Sequence, residues 1–402
     1  MTKTATSVST DVSLSAGRDS ITLKYSIGFT DATKLDEQLI ASYPTALAQS
    51  IDLAIIKNHF DIFLSQIFLY AGRIVLSCSE DEIPFYSQVI KALYAIRNYE
   101  ESTEIHPGDL VVADNIAVPA HSQKTNTAVM NLVSGGKDSL VSDFLLTANG
   151  ASVFRCFIDG LNVASNSSEL DACLALFKKV EIIKLSGFEA LVVALSSISD
   201  CYGRPPKRNY IPRGRDILTI SLAYPLAATF GCSYISHGCE RDLWENNLNV
   251  DGIEIPLHDS QSRLVIEPLS QQMDMGTGIH VFSPIAGMHE IYVLSWLLNR
   301  HPDLAGKLQS CFYGEWCGEC TKCLRYYLIE KYCDCNLFRF KKTPEALLPN
   351  LYHQLSLPDA NRNVRYCKEL LYLTGVHQHE SELFTPIRSQ LFPQFFERWE
   401  LE

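Results

Sequence analysis

The chain has 402 residues, 47% of them hydrophobic and 20% charged, a balance that excludes disorder as its default state and allows two domains or one large domain with appendages. A formal net charge of -12 argues against a broad nucleic-acid surface. No uncharged apolar run reaches the roughly 20 residues of a membrane span, and the opening MTKTATSVST lacks the apolar core of a secretory signal, so a cytoplasmic protein is expected. Its thirteen cysteines should then be mostly reduced, and clustered ones suggest a metal rather than a disulfide framework.

In the first 125 residues, Ile21, Leu23, Tyr25, Ile27 and Phe29 alternate without a break, which predicts a half-buried strand entered through a turn at Gly17-Arg18-Asp19. Leu53, Ile56, Phe60, Phe63, Leu64 and Ile67 keep helical spacing within 45–70, and 84–98 reads as a shorter helix. No chemical motif falls here. Residues 1–125 are therefore expected to form an N-terminal α+β appendage that packs on the rest of the chain or docks a protein partner, joined by a polar linker at 121–127.

Residues 128–150, AVMNLVSGGKDSLVSDFLLTANG, form the most informative stretch. Val129, Leu132 and Val133 suit a strand buried on both faces. Ser134, Gly135 and Gly136 turn the chain, Asp138 or Ser139 can cap the helix that follows, and Gly150 can close it. A strand feeding a helix through such a turn leaves unpaired N–H groups over the helix N-terminus, where the dipole favours an anion. The Walker pattern fails, because Asp138 stands where Ser or Thr is needed and Asn131 occupies the first glycine position.

Strand and helix signals then alternate: strands at 153–158, 180–185 and 232–236, helices at 168–179, 188–198 and 215–230. Such alternation predicts a parallel sheet with helices on both faces, which places Asp159 and His237 at strand ends where ligands bind. A basic patch gathers Arg204, Lys207, Arg208, Arg213 and Arg215. An arginine at a helix start gains nothing from the dipole, so Arg215 suggests an anionic ligand or a carboxylate partner, against a solvated cationic loop with an Arg-Asp pair. Glu240, Arg241, Asp242, His258 and Asp259 are further candidates.

Residues 310–325 read SCFYGEWCGECTKCLR. Cys317, Cys320 and Cys323 repeat every third residue, Gly318 lets the backbone turn its amides toward thiolates, and Cys311 is the natural fourth ligand of a tetrahedral zinc. An iron–sulfur cluster, or Cys333 or Cys335 in place of Cys311, stays open. Beyond Arg339, residues 341–402 read as a helical extension, with Pro344 at the first position of a helix and Gly375 closing another.

Two of these motifs carry a resemblance. Ser134, Gly135, Gly136, Lys137, Asp138 and Ser139 match the SGGxDS signature of the PP-loop ATP pyrophosphatases, and the cysteine cluster resembles the zinc site of one branch, the QueC-like 7-cyano-7-deazaguanine synthases. In size the chain is similar to the QueC-like proteins of anti-phage defence operons (Qat and type IV CBASS). The resemblance covers about 129–339. It implies a PP-loop α/β domain at 126–340 with its zinc knuckle at 311–323. It also implies ATP and Mg2+ on the loop with Lys137, Asp138 and Arg215 assisting, Asp159 near the nucleotide, and adenylation of a carboxylate such as 7-carboxy-7-deazaguanine. An amine, either ammonia or one on a partner protein, would then displace AMP. A homodimer, a degenerate nucleotide-binding component that docks a partner, and a tRNA thiolase stay open. Asp216, standing where that branch has asparagine, and the blurred stretch 238–279 depart from its pattern.

Overall fold

The computed structural model describes residues 5–29, 31–65, 74–101, 110–114, 127–161, 166–199, 214–245, 247–250, 252–256, 260–311, 313, 315–356, 372, 373 and 375. It is α/β, built on an eight-stranded sheet. Across that sheet run Ala5–Leu14, Ser20–Phe29, Lys34–Ser42, Glu181–Ser186, Ser152–Asp159, Ala128–Leu132, Tyr234–Ser236 and His280–Phe282. The first three pair antiparallel, and the third joins Glu181–Ser186 antiparallel with Ala41 opposite Leu185. The last five are parallel.

The two halves bury themselves differently, as their sequences require. In Ser20–Phe29 the alternating Ile21, Leu23, Tyr25, Ile27 and Phe29 are all buried while their neighbours are not, so this half covers one face only. All five residues of Ala128–Leu132 are buried. Ala128, Met130 and Leu132 face a core shared with Arg215–Thr229 and with the N-terminal strands. On the opposite side, Val129 packs with Leu146 and Phe282, and Val133 with Leu140 and Leu294. Each such aliphatic side chain stabilises the fold by about 1.5–3 kcal/mol relative to exposure.

Numbered along the chain, the parallel strands lie in the order 3-2-1-4-5, so the winding direction reverses between Ala128–Leu132 and Tyr234–Ser236. In parallel α/β sheets such a reversal is where ligands ordinarily bind, at the carboxyl end of the strands. Residues 133–136 and 237–240, which leave these two neighbours there, form two lips that lie against each other. Among the described residues no helix is long and apolar enough to cross a membrane.

Candidate functional site

The first lip is the SGGKDS turn. The Ser134 N–H donates to the Ser139 hydroxyl at 3.0 Å, and that hydroxyl lies 3.1 and 3.2 Å from the carbonyls of Ser134 and Gly136. The Gly136 N–H donates to Ser134 Oγ at 3.2 Å. With Ser139 cross-bracing the turn, the helix Lys137–Ala148 starts two residues earlier than a cap at Asp138 would set it, and three earlier than a cap at Ser139. Gly136 holds the N-cap position in extended conformation with no side-chain cap, and Asp138 and Ser139 fall inside the first turn. Gly150 adopts the left-handed conformation expected of it. A Cβ on Gly135 would fall 2.7 Å from Ala172 Cβ, so only glycine fits this approach.

Behind the turn, Asn131 donates to the Ser139 carbonyl at 3.3 Å, and Arg155 grips Asp143 through two bonds of 2.8 and 2.9 Å. These bonds tie the loop's helix to the strands on either side of it.

Lys137 does not extend toward solvent. Its ammonium lies 2.7 Å from Asp138 Oδ1, 2.7 Å from Glu240 Oε2 and 3.1 Å from Glu290 Oε1. Burial alone would lower its pKa, but the three carboxylates outweigh burial and hold it well above the ordinary lysine value. Glu290 also pairs with Arg325, its Oε2 2.5 Å from Nε and its Oε1 accepting from Nη2 at 3.3 Å. Burial would raise Glu290, yet Arg325 and Lys137 together hold it well below the usual carboxylate range. Glu240 goes the other way, pushed well up by burial and by Asp138 despite Lys137. The two glutamates on one ammonium are therefore driven in opposite directions.

Its members come from four places: the loop, the 237–240 lip, the start of Glu290–Arg300, and the helix Thr321–Tyr332 that follows the cysteines. Asp242 fixes the third by accepting from the Glu290 N–H at 2.9 Å and meeting His289 Nδ1 at 2.7 Å. Among the described residues, the Arg241 side chain pairs with Glu245 at 2.9 Å.

The second lip carries His237, whose Nε2 lies 3.1 Å from Asp216 Oδ1 and whose Nδ1 lies 2.9 Å from Cys239 Sγ. Burial would raise Asp216, but His237 and Arg215 overcome it and depress it strongly. Arg215 is the first residue of Arg215–Thr229, next in sequence to the carboxylate it helps to depress. Asp159 ends its strand opposite Lys184. Arg204, Lys207, Arg208, Arg213, His258 and Asp259 lie outside the described residues.

The cysteine knuckle sits against the first lip. The sulfurs of Cys311, Cys317, Cys320 and Cys323 all lie within 4.8 Å of one another, with Cys311 and Cys320 4.0 Å apart and Cys317 and Cys323 3.8 Å apart. A tetrahedron of thiolates about 2.3 Å from a zinc ion has edges of about 3.8 Å, so the four can hold that ion. An iron–sulfur cluster, which spreads four thiolates over two or four irons, needs a wider set. Cys333 and Cys335 belong instead to the partly buried fringe of a core. N–H groups of Tyr313, Glu319 and Cys323 point at Cys311, Cys317 and Cys320 sulfurs, and Cys320 caps Thr321–Tyr332, where the dipole favours a thiolate.

Both flanks of the knuckle touch the loop. The Gln309 N–H donates to the Gly135 carbonyl at 2.7 Å, and Ser310 Oγ sits where it would meet a Cβ on Gly136 at 3.3 Å. The Tyr326 hydroxyl donates to Ser310 Oγ at 2.9 Å, and Arg325 reaches Glu290.

Sequence reasoning had named the loop, the cysteines and Glu240. It missed Glu290, Cys239 and Gln309, which carry no motif and meet the site only through tertiary packing. A family model described as "Family of unknown function (DUF6395)" matches residues 275–389, a stretch that contains Glu290, the four cysteines and Arg325 but not the loop. No curated protein matches the chain.

Proposed function

We propose that the protein is an ATP-dependent ligase of the 7-cyano-7-deazaguanine synthase type, which adenylates a carboxylate at the 134–139 turn and passes it to an amine. The observation that carries this reading is the position of the uncapped SGGKDS turn, at the carboxyl end of the central parallel strand and beside the reversal in strand order. ATP would lie across the turn with its diphosphate over the helix N-terminus, so that attack by a carboxylate oxygen on the α-phosphorus expels pyrophosphate.

The turn's amides and the helix dipole would offset charge on the phosphates. Asp138, 30% exposed, is the carboxylate that the turn itself presents and would hold magnesium, which supplies charge neutralisation there. Lys137 acts at one remove: fixed by Glu240 and Glu290, it locks the turn to the second lip and the knuckle. Zinc on four thiolates has no open position for water and serves structure. The pairing of Lys137 with three carboxylates also favours a second reading, a nucleotide-binding component that docks a partner without turnover.

The test is incubation with ATP, magnesium and 7-carboxy-7-deazaguanine, with and without ammonia, following nucleotide and product mass. AMP with an amide or nitrile supports the ligase. ADP defeats adenylation, and bound but unchanged ATP favours the docking component.

A further inference from the structure

The second lip holds a constellation that loop chemistry leaves unused. Cys239 Sγ lies 2.9 Å from His237 Nδ1, and His237 Nε2 lies 3.1 Å from Asp216 Oδ1. Asp216 is fixed in turn by the Ser260 hydroxyl at 2.6 Å and the Gln261 amide at 3.3 Å. The contact between Cys239 and His237 is local, but Asp216 arrives from a different element, 21 residues earlier in the chain.

A thiol, an imidazole and a carboxylate in hydrogen-bonded series form a nucleophile with its base and orienter. The carboxylate holds one ring N–H toward itself and leaves the other nitrogen free to take the thiol proton.

The lip also lies against the turn, because a Cβ on Gly238 would stand 3.2 Å from the Asp138 carbonyl carbon. Burial, together with the carboxylates of Asp216, Asp138 and Glu240, pushes the Cys239 thiol well above its ordinary value. There is thus no standing thiolate, and attack needs a base in contact. His237 is that base.

We infer that Cys239 is a covalent acyl acceptor for the carboxylate activated at the turn, an inference that rests on the adenylation proposed above. Its sulfur attacks the acyl carbon of the adenylate. The S–C bond forms, the C–O bond to the AMP phosphate breaks, the thiol proton moves to His237 Nδ1, and AMP leaves. His237 sheds that proton to solvent. An amine then attacks the thioester, the N–C bond forms as the S–C bond breaks, and the amine proton passes through His237 to the sulfur.

The experiment uses the full-length protein with ATP, magnesium and 7-carboxy-7-deazaguanine, without amine, quenched in acid and mapped by peptide mass with pyrophosphate measured in parallel. The expected result is an acyl adduct on Cys239 of the wild-type protein that neutral hydroxylamine removes. It should form at least tenfold more slowly in His237→Asn and be missing from Cys239→Ala, with both variants checked for folding by near-ultraviolet circular dichroism. Because mapping of the wild type decides the matter, misfolding of a variant does not shield the inference. Pyrophosphate release without an adduct on Cys239 overturns the thioester and leaves adenylation standing. Absence of pyrophosphate overturns both.

Discussion

Glu240 and Glu290 touch the same ammonium and are driven in opposite directions, and that difference can be measured. Glu290 sits between Lys137 and Arg325 and is depressed, so its contribution is full above the ordinary glutamate value of 4.5 and is lost as pH falls through its lower folded value. Glu290→Gln is expected to cost about 3–5 kcal/mol at pH 7, because it leaves two buried cations short of charge. The deficit against wild type should shrink as the pH drops below 4.5 in urea titrations. Glu240 is raised, so burial disfavours its charged form, and its contribution is full below the ordinary 4.5 and is lost as pH rises through its higher folded value. Glu240→Gln, which keeps the shape of the neutral form, should therefore cost less at pH 7 than Glu290→Gln. Equal losses in the two variants would refute this division.

Gly318 gives a second test at this scale. It has φ +73°, and a Cβ there would meet the Lys342 carbonyl oxygen at 1.7 Å. Gly318→Ala should lose the metal, read as less than one zinc per chain by elemental analysis, while far-ultraviolet circular dichroism stays close to wild type. The glycine's need was legible from its place between cysteines. The Lys342 backbone that enforces it was not, because 24 residues separate the two.

Among elements, the knuckle and the turn behave as one unit. The residues just before Cys311 hold Gly135 and abut Gly136, and those just after Cys323 hold Ser310 and Glu290. Metal bound by four thiolates closes the chain between these two flanks, so removing it frees both at once. Chelation should raise amide hydrogen exchange at 134–139 and 309–310 by tenfold or more, with exchange in Ser20–Phe29 unchanged and the effect reversed by added zinc. Unchanged protection of the turn would show that the knuckle stands apart. The motif alone announced a metal site. It could not announce this coupling, which depends on Thr321–Tyr332 running back past the turn so that Arg325 and Tyr326 both face it. Helix and strand types were readable for a simpler reason: alternation in Ser20–Phe29 and the apolar run in Ala128–Leu132 reflect burial on one face and on two. The caps were harder. The Ser139 hydroxyl had a better use in bracing the turn than in starting the helix.

For the whole molecule, the expectation of an appendage at 1–125 meets a sheet that continues through it. Lys34–Ser42 pairs with Glu181–Ser186, and Ile21, Leu23, Ile27 and Leu39 share one core with Leu185, Leu222 and Ile235. The Tyr43 hydroxyl donates to the Leu222 carbonyl at 3.0 Å, the Ala48 N–H to the Thr229 hydroxyl at 3.0 Å, and the Asp52 N–H to the Tyr224 hydroxyl at 3.0 Å. Nothing in the sequence of Lys34–Ser42 names its partner, since an antiparallel strand added to a parallel sheet leaves no periodic trace in either segment. The consequence is one cooperative unit across that junction. A fragment beginning at residue 126 would expose the edge of Glu181–Ser186 and one face of Arg215–Thr229 to water, a loss of several buried aliphatic side chains at about 1.5–3 kcal/mol each. That is comparable with the whole of the roughly 5–15 kcal/mol by which a domain is ordinarily stable. The fragment is expected to aggregate or to show no sigmoidal urea transition, whereas the full chain unfolds with tyrosine fluorescence and far-ultraviolet signal coincident across this region. A fragment that folds alone with a sharp transition would make residues 126 onward an independent unit and put the cooperative boundary near residue 125.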